Sequence, residues 1–172
     1  MNARKQKTDS LSNVCPVCGA ALVLPIGPQD ARAIIVSDRP GEWELRHGRP
    51  FVPQAPAGHI LHHELIRAGL NIDEFRVTNV WLHEPNDLCL DWHVQQVLNE
   101  IVKMDALLVL GYIACHHLLE KPVMSVSGLV YRAKIRPKLT VAGPNPAEAL
   151  HGGIGELRLS LSRFAAAYHK LK

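Results

Sequence analysis

The stretch at residues 31–52, ARAIIVSDRPGEWELRHGRPFV, joins a short apolar run directly to a long polar loop. The run at 31–36 is rich in β-branched residues and ends at a polar residue, which predicts a buried strand. The loop at 37–52 contains a Pro-Gly turn, carboxylates, arginines and two aromatic residues. A loop of this length and chemistry is typical of a functional site. The alternative is a charged surface loop organised by its Pro-Gly turn.

Three later segments repeat the order of apolar run and polar ending, and stretches with helical character separate them. The predicted strands are 31–36, 75–80, 106–110 and 138–142, and the predicted helices are 59–68, 93–103, 112–120 and 155–171. This alternation indicates an α/β fold, a three-layer αβα arrangement with a four-stranded parallel sheet. In the last helix, the predicted buried face consists of Leu157, Leu161, Phe164 and Tyr168.

A polar or glycine-containing segment follows each predicted strand, at the edge where such sheets bind their ligands. The residues at this edge are Asp38, Asn79, Gly111 and Asn145. We therefore expect these four residues, which are far apart in the chain, to lie along one side of the sheet.

Length and composition predict one compact domain, because 172 residues with 47% hydrophobic content can bury a full core without disulfides. We assign residues 15–172 to this domain and residues 1–14 to a flexible basic amino terminus. Apolar runs are all shorter than a membrane span, and no apolar stretch follows the first charges. We expect a cytoplasmic monomer without membrane contact.

Basic residues are unevenly distributed in a chain whose net charge is only +3. They cluster at Arg4, Lys5 and Lys7, and again at Arg132, Lys134, Arg136 and Lys138. Alternation places the second group on one face of an extended segment, where it can contact phosphates. A charged, solvated edge strand explains the same pattern equally well.

Four cysteines in a chain without an export signal favour metal ligands or free thiols over disulfides. Cys15 and Cys18 lie two residues apart on a predicted tight turn, where two thiolates can bind one ion or two corners of a cluster. Cys115 lies within a helical pattern and is predicted to be a small buried apolar residue.

Cys89 is the third predicted ligand, and two nearby histidines can complete the set. We choose His83 over His93, because the helical pattern at 93–103 accounts for His93. By ligand chemistry alone, three cysteines and one histidine suit zinc.

The order of these motifs resembles the uracil-DNA glycosylase superfamily, especially its iron-sulfur (thermostable-type) branch. The matching pieces are Asp38, Pro40, Gly41, Glu42, Glu44 and Gly48 to Val52 in the loop, Ala57-Gly58, Gly69-Leu70, Thr78-Asn79-Val80, Leu110-Gly111, the Cys15/Cys18 pair, and Cys89 with Trp92. The resemblance covers residues 15–165, and the combined order of its pieces is more specific than any one of them.

Two departures from that family affect its expected chemistry. His83 stands where the family has a cysteine, so the [4Fe-4S] cluster implied by the resemblance would have a histidine ligand; zinc is the alternative. Asn145 stands where the family has a histidine, and Asn145-Pro146 looks like the Asn-Pro motif of the mismatch-specific uracil-DNA glycosylases.

The resemblance implies a role for each candidate site residue. Asp38 positions a water molecule or stabilises the developing sugar cation, and Asn145 donates to the leaving base. Phe51 stacks on a flipped base and Asn79 reads its Watson-Crick edge. The implied substrate-binding set is Arg39, Pro40, Gly41, Glu42, Phe51, Asn79 and Gly111.

The resemblance therefore implies a DNA glycosylase that flips out uracil or another altered pyrimidine and hydrolyses its N-glycosidic bond in single- or double-stranded DNA. Because Asn145 replaces the histidine and Asp38 is shorter than the family's glutamate, we expect slow turnover or a substrate whose base leaves more readily. The alternative is a catalytically weak or inactive nucleic-acid-binding member of the same fold.

Overall fold

The computed structural model describes residues 13–131, 137 and 139–171. The strands are β1 (Ala33–Ser37), β2 (Arg76–Asn79), β3 (Ala106–Leu110), β4 (Val130–Tyr131) and β5 (Leu139–Gly143). The helices are α1 (Glu42–His47), α2 (Pro56–Arg67), α3 (Leu90–Ile101), α4 (Tyr112–Leu119), α5 (Val123–Val126), α6 (Pro146–Glu148) and α7 (Ile154–His169). The predictions for the basic clusters at 1–7 and 132–138 fall on residues outside the described part of the chain.

The strands form one sheet in the order β2-β1-β3-β5-β4. Four of them run parallel, which confirms the predicted α/β class and its four-stranded parallel core. The fifth strand, β4, pairs antiparallel with β5 at the edge and was not predicted. Its two residues are too few to produce a recognisable alternating pattern.

Helices cover both faces of the sheet, as the αβα prediction requires. On one face, α2 and α7 pack through Leu65, Leu157 and Phe164 against residues such as Leu108. On the other face, α3 and α4 pack through Val97, Ile101 and Leu118 against the alternate strand positions. Every residue of β1 and β3 is buried, as expected for parallel strands covered on both faces.

The closing helix α7 buries the four residues predicted for its inner face. Phe164 and Tyr168 of this helix also contact Phe75, which lies just before β2. These contacts join the carboxyl-terminal helix to the sheet edge. Among the described residues, no helix is both long enough and apolar enough to cross a membrane.

The loop at 37–52 contains helix α1, which sequence periodicity did not indicate. Gly41 precedes the helix, and the Glu44 carboxylate accepts a hydrogen bond from its backbone N–H at 2.6 Å. Gly48 ends the helix in the left-handed region, with φ of 64°, where glycine is favoured. Six residues give too short a pattern to detect, although the glycine and glutamate spacing is a capping signal.

Candidate active site and metal centre

The carboxyl ends of the four parallel strands are level with one another. Ser37 of β1 pairs with Asn79 and with Leu110, and Leu110 in turn pairs with Gly143. The polar residues that end or follow these strands therefore lie along one edge, as predicted.

A cleft of about 470 Å³ opens at this edge. Its lining residues are Ser37, Arg39, Pro40, Gly41, Glu42, Trp43, Glu44, Phe51, Ala55, Pro56, Ala57, Gly58, Asn79, Glu84, Asn145, Ala147 and Leu150. Eight of these residues belong to the loop at 37–52, so the predicted site loop does form a wall of a cleft.

Asn79 is a buried polar residue of the cleft, with only 2% of its surface exposed. Neither its amide nitrogen nor its amide oxygen has a hydrogen-bond partner of normal geometry among the described residues. The amide is nevertheless close enough to Glu44 to favour the ionised carboxylate. An unpaired buried amide is costly to a folded protein unless a ligand completes it.

Glu44 organises the loop that forms the cleft wall. Its buried carboxylate accepts hydrogen bonds from the backbone N–H groups of Gly41 and Phe51. Burial raises the pKa of this carboxyl, and the two N–H groups oppose that effect. The sequence match included Glu44, but the predicted site did not; its position three residues after Gly41 was the available signal.

Phe51 lines the cleft in a constrained backbone conformation. Its φ of 48° is rare for a residue with a side chain. Glu44 accepts from its N–H, and its carbonyl lies 3.2 Å from His62 Nε2. The turn also presses against α2, where a Cβ on Gly58 would overlap the carbonyl of Val52. The Ala-Gly motif at 57–58 therefore permits this close approach.

Asp38 and Asn145 are hydrogen-bonded to each other across the sheet edge. Asn145 Nδ2 donates to Asp38 Oδ2 at 3.1 Å and makes a longer contact of 3.4 Å with Ser37 Oγ. Asn145 Oδ1 accepts from the backbone N–H of Ala147 at 2.9 Å. Asn145 lines the cleft, whereas Asp38 is absent from its lining. Asp38 therefore contacts the cleft through Asn145.

The Asp38 carboxyl lies at the amino-terminal end of α4, where its Oδ1 accepts from the backbone N–H of Ala114 at 2.8 Å. Burial raises its pKa, while the bonds from Ala114 and Asn145 lower it by a smaller amount. Gly111, predicted to bind substrate, instead lies against this carboxyl, which a Cβ at that position would overlap. Gly111 is absent from the cleft lining, so its observed role is to make room for Asp38.

Arg39 and Glu84 face each other on the cleft lining, 3.7 Å apart, with both side chains more than half exposed. An exposed pair of this kind contributes little to stability. Ser37, Trp43 and Glu84 also line the cleft and lie outside the predicted catalytic and substrate-binding sets. Glu84 directly follows His83, so its position depends on the second site.

The predicted ligands Cys15, Cys18, His83 and Cys89 come together in a second site. One ligand atom from each residue lies within 4.8 Å of all the others. Cys15, His83 and Cys89 are buried, and Cys18 is exposed. Cys115 is buried in α4 outside this group, as predicted. As donor types, three cysteines and one histidine are compatible with a metal ion or an iron-sulfur cluster.

The thiols of this group have different acidities. For Cys15, burial opposes ionisation, but the backbone N–H groups of Cys18 and Val17 and the side chains of His83 and Cys18 lower the pKa to about 6. For Cys89, burial and the neighbouring sulfurs raise the pKa to about 12. Crowding thiolates without a cation is unfavourable, and a bound cation reverses that effect.

Hydrogen bonds orient the imidazole of His83 towards the sulfurs. Its Nδ1 contacts the backbone carbonyl of Glu84 and therefore carries a proton, which leaves the lone pair on Nε2. Nε2 lies 3.4 Å from Cys18 Sγ. His93 Nδ1 accepts from the Leu82 N–H, so the proton of His93 is on Nε2 and is donated to His83 Nε2 at 3.0 Å. His83, and not His93, belongs to the group of ligand atoms that lie together, in agreement with the choice of His83 as the ligand.

A cleft with buried polar side chains at the carboxyl edge of a four-stranded parallel sheet, beside a cysteine-histidine group, is the arrangement in which α/β proteins bind their ligands. Residues 24–172 match the Uracil DNA glycosylase superfamily. The chain belongs to this superfamily, as the sequence resemblance indicated. Membership supports, in general terms, a DNA glycosylase, a hydrolase of DNA repair that acts on DNA.

Proposed function

We propose that this protein flips uracil or another altered pyrimidine out of DNA and hydrolyses the bond between that base and its sugar. The observation that carries the proposal is the buried amide of Asn79 in the cleft, which has no hydrogen-bond partner of normal geometry among the described residues. An amide donates to a pyrimidine carbonyl and accepts from the ring N–H, so uracil would satisfy both of its polar atoms. The base must leave the helical stack to reach a site of this depth.

Phe51 supplies the stacking surface for that base. Its ring lines the same cleft as Asn79, and Glu44 holds its backbone in place through the N–H. Base–aromatic stacking contributes about 1–3 kcal/mol and tolerates different bases. Selectivity therefore falls to Asn79 and to the backbone around Arg39, Pro40, Gly41 and Glu42.

Asn145 and Asp38 act together in bond cleavage. The long Nδ2 contact of Asn145 with Ser37 Oγ, at 3.4 Å, is the weaker of its two donations and is the one that a base oxygen can replace. The donation to Asp38 Oδ2 keeps the amide oriented. Asp38 lies behind Asn145, which lines the cleft, and its negative charge stabilises positive charge on the sugar.

The [4Fe-4S] cluster implied by the family resemblance and the zinc alternative share the same four ligands. In either case, the centre joins the segment around Cys15 and Cys18 to the segment that carries Glu84 into the cleft. Its role in this proposal is structural, and the protein acts on DNA as a monomer.

The test uses labelled single- and double-stranded oligonucleotides with uracil, hypoxanthine, hydroxymethyluracil or a thymine mismatch, followed by alkaline cleavage of abasic sites. We expect slow product formation from at least one altered pyrimidine, and less from hypoxanthine. Absence of product from every substrate would refute the enzymatic proposal. Tight, uracil-selective binding without product would support the binding alternative, which the internal hydrogen bonds of Asn145 favour.

A further inference from the structure

The geometry points to a single tetrahedral metal ion, zinc by its ligand chemistry, bound by Cys15, Cys18, His83 and Cys89 in place of the four-iron cluster that the resemblance implies. This inference concerns the second site only and is independent of the proposed cleavage reaction. Its evidence is the spacing of the ligand atoms, the packing around them and the orientation of the histidine.

The ligand spacing matches that of one ion. With zinc–sulfur bonds of about 2.3 Å, tetrahedral geometry places two sulfurs about 3.8 Å apart and a sulfur and a nitrogen about 3.6 Å apart. Cys18 Sγ and His83 Nε2 are 3.4 Å apart. All four ligand atoms lie within 4.8 Å of one another, so an ion at their centre needs only small side-chain rotations.

A four-iron cube requires a wider spacing. Each ligand of a cube binds a different iron and points away from the centre, so two ligand sulfurs are separated by the single-ion distance plus a full iron–iron distance. The 4.8 Å limit leaves about 1 Å for that iron–iron distance. This is shorter than even a carbon–carbon bond of about 1.5 Å. The ligands would have to move apart to admit a cluster.

The surroundings oppose such a movement. Cys15 and Cys89 pack in one apolar cluster with Leu22, Trp81 and Leu82. The turn carrying the first cysteine pair is closed by backbone hydrogen bonds of 2.8 Å from Gly19 to Cys15 and from Cys15 to Ala20. Only Cys18 is exposed, so separation of the other three ligands would disrupt packed residues.

His83 also presents its unprotonated nitrogen, Nε2, within 3.4 Å of Cys18 Sγ. Its Nδ1–H contacts the Glu84 carbonyl, the arrangement that fixes tautomer and ring direction in many metal sites. Imidazole and thiolate together are a common zinc donor set. His93 is not a ligand, because its Nδ1 accepts from Leu82. Its Nε2–H donates to His83 Nε2 at 3.0 Å, so the His83 ring turns from His93 towards the sulfurs when the ion binds.

The test is metal analysis of the full chain, expressed in iron-supplemented medium with the cluster-assembly machinery and purified without oxygen. We expect about one zinc per chain, no visible absorbance and no acid-labile sulfide. Exchange with Co²⁺ is expected to give the intense visible bands of tetrahedral cobalt with thiolate ligands. About four irons and four sulfides per chain, with broad absorbance near 400 nm, would overturn the assignment.

Two variants extend the test. His83→Ala is expected to retain Co²⁺ with weaker affinity and altered bands, because one nitrogen ligand is lost. Cys115→Ser, which changes the cysteine outside the site, is expected to bind one zinc like the parent protein. Loss of the metal from Cys115→Ser, or unchanged cobalt bands in His83→Ala, would contradict the proposed ligand set.

Discussion

Removal of the Asn79 side chain is expected to affect folding stability and base binding in different ways. Its buried amide has no partner of normal geometry among the described residues, which is unfavourable in the free protein, whereas in the proposed function a base completes its hydrogen bonds and gains affinity. We expect Asn79→Ala to lower kcat/KM for uracil excision on the order of 10²-fold. The same substitution should leave the melting temperature unchanged or slightly raised.

Asn99→Ala is the matched control, because Asn99 is on α3, away from the cleft, and hydrogen-bonds only to the exposed Gln95 among the described residues. Its excision rate should equal that of the parent protein. Parallel loss of stability and activity in Asn79→Ala would instead indicate a structural residue.

The family resemblance places a histidine at the position of Asn145, and a substitution at this position can test its effect. We expect Asn145→His to raise the rate of uracil excision by up to about 10²-fold, because imidazole is a better donor to the leaving base. Single-turnover kinetics on a uracil oligonucleotide measures this change. An unchanged rate in a variant with native stability would mean that the motif assignment is wrong.

Asp38 predicts a particular pH dependence. Burial raises its pKa above the ordinary value of 3.8, and its proposed role requires the ionised form. Activity should therefore fall as the pH is lowered through this raised pKa, at a higher pH than for an exposed aspartate. Asp38→Asn should lower the rate and lose this acid limb. If its pH profile keeps the shape of the parent profile, another group controls the activity.

The contribution of Asp38 to folding stability has the opposite pH dependence to its contribution to activity. A carboxyl whose pKa is raised on folding binds protons more tightly in the folded state, so its ionisation lowers stability as pH rises through that pKa. The difference in melting temperature between the parent and Asp38→Asn, measured over the same pH range, isolates this contribution.

At the level of elements, Glu44 joins the start of α1 to the turn at Phe51. Glu44→Gln keeps one acceptor oxygen but leaves one of the two backbone N–H groups poorly satisfied. We expect a loss of about 1–3 kcal/mol in unfolding free energy and a lower excision rate. Denaturant unfolding measures the first quantity. Glu156→Gln, at an exposed position in the first turn of α7 and outside the cleft lining, is the control and should behave like the parent protein.

The proposed metal centre would join two segments that are 65 residues apart in the chain, between Cys18 and His83. If the ion acts as a cross-link of that loop length, its loss should lower stability by about 4 kcal/mol. For a chain of this size, this corresponds to a decrease in melting temperature of about 8–16 °C. Differential scanning calorimetry before and after removal with a strong chelator tests this expectation. An unchanged melting temperature in demonstrably metal-free protein would exclude a stabilising cross-link.

Some of these strands and helices could be predicted from the sequence, and others could not. The strands at β1, β3 and β5 were predictable because they are continuous apolar runs, as buried parallel strands must be. Helix α1 was missed because six residues give little periodic signal. The two-residue strand β4 was missed for the same reason. The ligand set was predictable because cysteine and histidine spacing is distinctive, and the structure does bring those side chains together.

The positions of Asp38 and Gly111 could not be predicted in this way. The sequence placed both at the sheet edge, which is where they lie, but did not indicate which of them faces the cleft. That depends on Asn145, whose bond to Asp38 joins residues 107 positions apart. Packing of this kind is decided by tertiary contacts that a single sequence does not display.

At the scale of the whole molecule, the sheet order determines when the protein can fold during synthesis. Strand β1 pairs with β2 on one side and β3 on the other, and β3 also pairs with β5. No strand of the parallel core can therefore pair with two neighbours until the chain has been made as far as residue 110. At about 5–20 residues per second, β1 waits roughly 4–14 s on the ribosome for its second partner. During that time its apolar, unpaired edge is available to other nascent chains, so we expect soluble yield to depend on chaperone capacity during translation.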